Sequence, residues 1–109
     1  MFDINKIEFA DIPDEIVWIG NKVAEYTAQY EFLDDLSKVI IATIGNKKNA
    51  SSESERNRLA LSDDEYKKHL EAKKIARNEM LRNKAYMQAL EAKFDYLRTI
   101  AANSRNQRY

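Results

Sequence analysis

Apolar residues recur through the first third of the chain at alternating intervals of three and four. Ile16, Ile19, Val23, Tyr26, Tyr30, Leu33, Ser37, Ile40 and Ile44 form one such series, with Ser37 its only polar member. This spacing keeps the set on one stripe of an α-helix and is the heptad signature of a coiled-coil seam. Val17, Phe32, Leu36, Val39 and Ile41 widen the stripe. Over residues 32–44 the helix is therefore apolar around much of its circumference and is expected to touch more than one neighbour.

A second series with the same alternation comprises Tyr66, His69, Lys73, Ala76, Met80, Asn83, Met87, Leu90, Phe94, Leu97 and Ala101. His69, Lys73 and Asn83 make its first half weak; from Met80 onward it is an ordinary apolar stripe. Residues 1–10 have no helical period, and Phe2, Ile4, Ile7 and Phe9 predict a short strand or a packing arm.

Local signals set the expected boundaries. Asp11 can cap a helix, Pro13 suits a first turn, and Asp14 and Glu15 complement the positive end of the helix dipole. A first helix is predicted over 13–44, with Gly45 and Asn46 as stop signals. Residues 45–62 read as a connector holding a short helix, which Ser52 and Glu55 open as a capping box. Ser62 and Glu65 repeat that signature, Asp63 and Asp64 add negative charge, and a long helix is predicted over 63–103 before a basic tail, 104–109. The expected fold is a single all-α domain, 1–109: two long helices in an antiparallel hairpin with a short connecting helix, coiled-coil-like. Ile40, Ile41, Ile44, Met80, Met87, Leu90, Phe94 and Leu97 are its expected packing and oligomer seam. Apolar surface left over on 32–44 points to a homo-oligomer.

Composition supports this reading. The 109 residues include one Pro and two Gly, too few turn formers for a β-rich fold. Without Cys there is no disulfide framework, zinc-finger spacing or thiol nucleophile. No apolar run of about 18 residues is present to span a membrane. The mixed, acidic N-terminus does not resemble a signal peptide, so a cytoplasmic protein is expected.

Enzyme chemistry finds little to stand on. His69 is the sole histidine, and on a mixed helix face it reads as a packing residue with no nucleophile or acid partner in evidence. No glycine-rich phosphate cradle occurs. The acidic pair at 63–64 is explained by capping and the pair at 34–35 by solvation, so neither a catalytic nor a metal site is expected, and no cofactor. Trp18 and Gly20 form a Trp-x-Gly element. Small secreted helical hairpins of the WXG type carry that element in the turn between helices; here it falls inside the first helix, which argues against that family.

Charge changes the picture more than composition does. The formal net charge is zero, yet residues 1–65 hold 7 Lys/Arg against 14 Asp/Glu, and residues 66–109 hold 11 against 4. A basic half invites an acidic partner; equally, complementary halves can attract each other. Lys67, Lys74 and Arg77 share one helical face, and Arg82 and Lys93, three turns apart, share another. Cations that follow a phosphate backbone, interleaved with aromatics that stack bases, are what single-stranded nucleic acid requires. The candidate set is Lys73, Lys74, Arg77, Arg82, Lys84, Tyr86, Lys93, Tyr96, Arg98, Arg105, Arg108 and Tyr109.

The stretch "EMLR" at 79–82 followed by "AKFDY" at 92–96 resembles the UvsY-type recombination mediators of T4-like phages, which carry a basic residue and an apolar residue before Asp-Tyr. The last 50 residues or so are also similar to small helical proteins of tailed phages, in their start (Ala60 to Tyr66) and their end (Leu97 to Arg105). The resemblance implies a non-enzymatic helical oligomer that binds single-stranded DNA and helps a recombinase displace a single-strand binding protein; Lys93 and Arg82 are the basic residues it carries over. The alternative is a structural or interaction protein, a phage assembly component or an inhibitor of a host protein, acting through the apolar face at 32–44.

Overall fold

The computed structural model describes residues 3–106. Helix accounts for 90% of them and no strand occurs among them, so backbone polar groups are paired locally except at helix ends. The elements are two short 3-10 turns, Ile4–Lys6 and Phe9–Asp11, then α1 (Ile12–Lys47), α2 (Glu53–Leu61) and α3 (Asp64–Asn106). They form two compact units, to each of which both long helices contribute. The terminal unit joins the first 24 residues to those from Leu81 onward; the central unit is Glu25–Met80.

Residues 3–11 form no strand; two 3-10 turns carry them, with Ile4, Ile7 and Phe9 packed, while Phe2 lies outside the described residues. Asp3 accepts a hydrogen bond from the Asn5 amide at 3.1 Å and starts the first 3-10 turn. The second turn runs directly into α1, with Pro13 in the first helical turn, where its missing N–H costs nothing.

Helix α3 runs to Asn106, so residues 104–106, expected in the basic tail, are helical; two other helix ends differ from expectation for identifiable reasons. Helix α1 passes through Gly45 and Asn46 and stops at Lys47. Asn49, at φ 56°, occupies the left-handed position that ends a helix. The amide of Ala50 bonds to the Gly45 carbonyl at 2.9 Å and that of Asn49 to Asn46 at 3.3 Å, which is the paired pattern of a Schellman motif. Gly45 serves a different purpose. It is buried, and a Cβ there would overlap the Cγ and Cδ of Arg56, so it lets α2 approach α1 closely. At the start of α3 the cap is Asp63 in place of Ser62. The Asp63 carboxylate accepts from the Glu65 amide at 2.9 Å, whereas the Ser62 hydroxyl is turned back to the Leu59 carbonyl at the end of α2. An ionised acceptor next to the helix N-terminus outcompetes a hydroxyl one residue earlier. For α2, Ser52 caps as expected, accepting from the Glu55 amide at 3.1 Å, while the Glu55 carboxylate accepts from both the amide and the hydroxyl of Ser51.

In the terminal unit, Ile12, Ile19, Tyr86 and Leu90 form a buried core, with Ile4, Ile7, Ile16, Met87, Phe94 and Leu97 packed around it. In the central unit the buried side chains are Ile44, the small Ala60 and Ala76, and the polar His69. Every seam position from Ile16 to Ile44 on α1, and from Tyr66 to Leu97 on α3, is buried or partly buried; only Ala101 is exposed. Period alone therefore located the packed face of both helices.

Candidate nucleic-acid interface

The cations of α3 divide into those with a task inside the fold and those without. Lys93 belongs to the first group. Its ammonium donates to the Ile4 and Ile7 carbonyls at 2.5 and 2.8 Å, fastening the first 3-10 turn to α3. These carbonyls close a short helical turn, where a cation is favoured. Lys73 also turns inward on the central unit: it meets Asp34 at 2.6 Å and lies 5.8 Å from the centre of the Tyr30 ring. The hydrogen bond from Lys73, and then its charge, hold the Asp34 carboxyl below its ordinary 3.8. The same hydrogen bond raises Lys73. Tyr86 is not a stacking platform. It is only 9% exposed and donates its hydroxyl to Glu15 at 3.3 Å. Burial first, and the neighbouring Glu15 charge second, push its phenol above 10.0.

The second group faces water. Lys67, Lys68, Lys74 and Arg77 are exposed in the central unit and make no ion pair among the described residues. Lys67, Lys74 and Arg77 lie on one face of α3, as their spacing predicts. Lys74 and Arg77 line a shallow recess of about 260 Å³ together with Tyr30, Leu70, Lys73 and Asn78. In the terminal unit Lys84 and Arg105 are exposed, Arg82 is exposed but engaged by an interaction of its own, and Tyr96 is a fully outward aromatic. Arg98 sits 3.3 Å from Asp95, an exposed pair of small energetic weight. Its guanidinium also lies 5.8 Å from the Phe94 ring centre. Arg108 and Tyr109 fall outside the described residues.

The polar interruptions of the two seams find each other. Ser37, the one polar member of its stripe, and His69, one of three in the other, meet at 2.7 Å, and Ser37 also donates to the Leu33 carbonyl at 3.2 Å. Both contacts are satisfied when the imidazole carries its proton on Nε2 and Ser37 accepts it. One of the two His69 ring nitrogens is thus tied to a packing serine, which joins α1 to α3 in this unit. Asn83, another polar entry, is buried and not without a partner. The expected seam residues Ile40, Ile41, Ile44, Met80, Met87, Leu90, Phe94 and Leu97 are all buried or partly buried within one chain. Among the described residues, no three His, Cys, Asp or Glu converge to hold a metal ion, and no helix is long and apolar enough to cross a membrane.

Sequence reasoning passed over Phe9. This ring stacks on Phe94 at 5.2 Å with 16° between planes, yet stays 42% exposed beside Arg98 and Arg105. Its only signal was an apolar residue in a segment without helical period. No family model matches the chain, and neither a curated protein nor a solved structure matches it.

Proposed function

We propose that this chain is a non-enzymatic accessory protein of phage-type recombination or replication that binds single-stranded DNA through the outer face of α3. One observation carries the reading: Lys67, Lys74 and Arg77 share an exposed face and have no carboxylate partner among the described residues, although acids are plentiful in the same unit. Unpaired surface cations in register are available for phosphates. Chain directions support the antiparallel hairpin within each unit. Glu15 meets Tyr86 and Phe9 meets Phe94 in one, while Asp34 meets Lys73 and Ser37 meets His69 in the other. In this reading the protein works in the cytoplasm of a bacterial host, self-associates, and serves a recombinase or a single-strand binding protein.

Fluorescence anisotropy with labelled single-stranded and duplex oligonucleotides, at low and physiological salt, tests the proposal. Binding should favour single strands, fall steeply with salt, and drop in Lys74→Glu/Arg77→Glu. A folded wild-type protein that binds no oligonucleotide at low salt would sink it.

A second reading, an interaction protein, is favoured by Phe32 and Val39, which are 64% and 58% exposed on α1. They extend a 3-4 alternation through Ala28, Phe32, Asp35, Val39 and Ala42, all outward. A second copy is the partner this stripe would take, its acids meeting the basic outer face of α3. Light scattering that shows an oligomer dispersed by Phe32→Glu/Val39→Glu would support this reading.

A further inference from the structure

The terminal unit carries an open recess of about 470 Å³ lined by Phe9, Arg98, Ala101, Ser104 and Arg105. Its volume falls within the roughly 300–1,000 Å³ typical of small-ligand sites. Arg98 and Arg105 are seven residues apart, two turns of α3, and so project from one face. Both are exposed. Ser104 adds a hydroxyl, and Ala101 between them leaves the floor low.

The fourth wall is aromatic and comes from a distant part of the sequence. Phe9 stacks on Phe94, and Arg98 lies over that same Phe94 ring. Phe9 is thereby held at a fixed angle by a packed neighbour while 42% of its surface stays open. The turn that carries it, Phe9–Asp11, follows the segment that Lys93 fastens at Ile4 and Ile7. Arg98 is paired with Asp95 on the exposed surface, where solvent screening makes the pair easy to exchange for another anion. Glu8 and Asp11 flank Phe9 in sequence but do not line the recess.

An open ring face beside two guanidinium groups and a hydroxyl matches one ligand chemistry: a planar base joined to a phosphate. We infer that this recess is a nucleotide subsite, in which Phe9 stacks one base of a single strand and Arg98 and Arg105 hold its phosphates. The inference rests on the single-strand reading above and adds a place where that strand would be anchored. Base stacking on an aromatic is worth about 1–3 kcal/mol per base, or roughly 5- to 150-fold in affinity.

The test compares a labelled oligothymidylate with an abasic oligonucleotide of equal length, which keeps the phosphates and lacks the bases. Wild type should bind the oligothymidylate more tightly. Phe9→Leu keeps an apolar side chain against Phe94 and removes the π face. It should bring oligothymidylate binding down about tenfold, toward the abasic level, and leave abasic binding unchanged. Arg98→Ala/Arg105→Ala should weaken both ligands. Circular dichroism and thermal melting confirm that each variant is folded. Equal losses on both ligands in Phe9→Leu would mean a structural ring and would overturn the subsite. So would wild-type binding in both groove variants alongside a loss in Lys74→Glu/Arg77→Glu, which would leave the single-strand reading standing. Absence of any binding by wild type would overturn the two together.

Discussion

The two units of this molecule are built from the same two helices and the same 3-4 spacing, yet they are held by different forces. The terminal unit buries Ile12, Ile19 and Leu90 completely. The central unit spends three seam positions on Ser37, His69 and Lys73, and pairs them with polar partners. Apolar burial is stabilising and indifferent to register. Buried polar pairs add little net stability but penalise every misaligned arrangement, since each slip leaves a polar group unpaired. The central unit thus leans more on polar pairing for its alignment, while the terminal unit adds its polar contacts, buried Asn83 and the Tyr86–Glu15 bond, to a larger apolar core.

The largest test of that contrast is Leu90→Ala. Removing a fully buried leucine should cost about 2–5 kcal/mol in urea or thermal unfolding. Trp18, the only tryptophan, lies in the terminal unit and reports on it by fluorescence. Lys93→Met comes next. It keeps the aliphatic stem and loses two charge-assisted bonds, for an expected cost of about 1.5–3 kcal/mol, and hydrogen exchange should accelerate across residues 3–11.

The central unit should behave otherwise. Ser37→Ala alone leaves the buried imidazole short of a partner and should cost about 1–2 kcal/mol. Adding His69→Leu should recover most of that loss, a non-additivity that a double-mutant cycle reads directly. Should the two losses simply add, the registry role of the pair fails.

The glycines give a smaller, signed comparison. A Cβ at Gly20 would meet only Met87 Sδ at 3.8 Å, an ordinary contact. Gly20→Ala should therefore stabilise by about 1 kcal/mol through helix propensity. Gly45→Ala should destabilise, because the stem of Arg56 occupies the space.

The smallest effect is on pH. Asp34 is depressed below its ordinary 3.8 by Lys73. Its share of stability is present above that value and is lost as pH falls through the lower folded value. Tyr86 is raised above 10.0, so its share is complete below pH 10.0 and is lost as pH rises through the higher folded value. Lys73, raised by the Asp34 hydrogen bond, likewise loses its share only on the alkaline side. Asp34→Asn should lessen the acid-side loss, to which the lowered Glu55 and Asp63 also contribute, and Tyr86→Phe should lessen the alkaline-side loss that Tyr86 shares with Lys73.

Packing was readable from residue order because a helix has one period, and the stripes from Ile16 to Ile44 and Tyr66 to Leu97 are covered as that period requires. Three helix ends were not: α3 continues to Asn106 with no glycine or proline to stop it, and Gly45 against Asn49 and Ser62 against Asp63 are contests between neighbours. The candidate interface was half legible. Residue counts register a lysine's charge but not its partner, so Lys74 and Lys93 look alike in sequence. The fold sends one to water and the other to the Ile4 and Ile7 carbonyls. Phe9 was hidden for the same reason, its neighbours Arg98 and Arg105 being some ninety residues away.

The anchoring of Lys93 has a chemical corollary. Lys93 is only partly exposed and donates to two carbonyls, so a reagent must displace both contacts to reach its nitrogen, whereas Lys67, Lys68, Lys74 and Lys84 lie open on the surface. Under brief treatment with an acylating reagent, Lys93 should be modified after the exposed Lys67, Lys68, Lys74 and Lys84. Its appearance in the peptide mass spectrum would then serve as a clock for release of the N-terminal turn, readable on the intact protein and without any substitution.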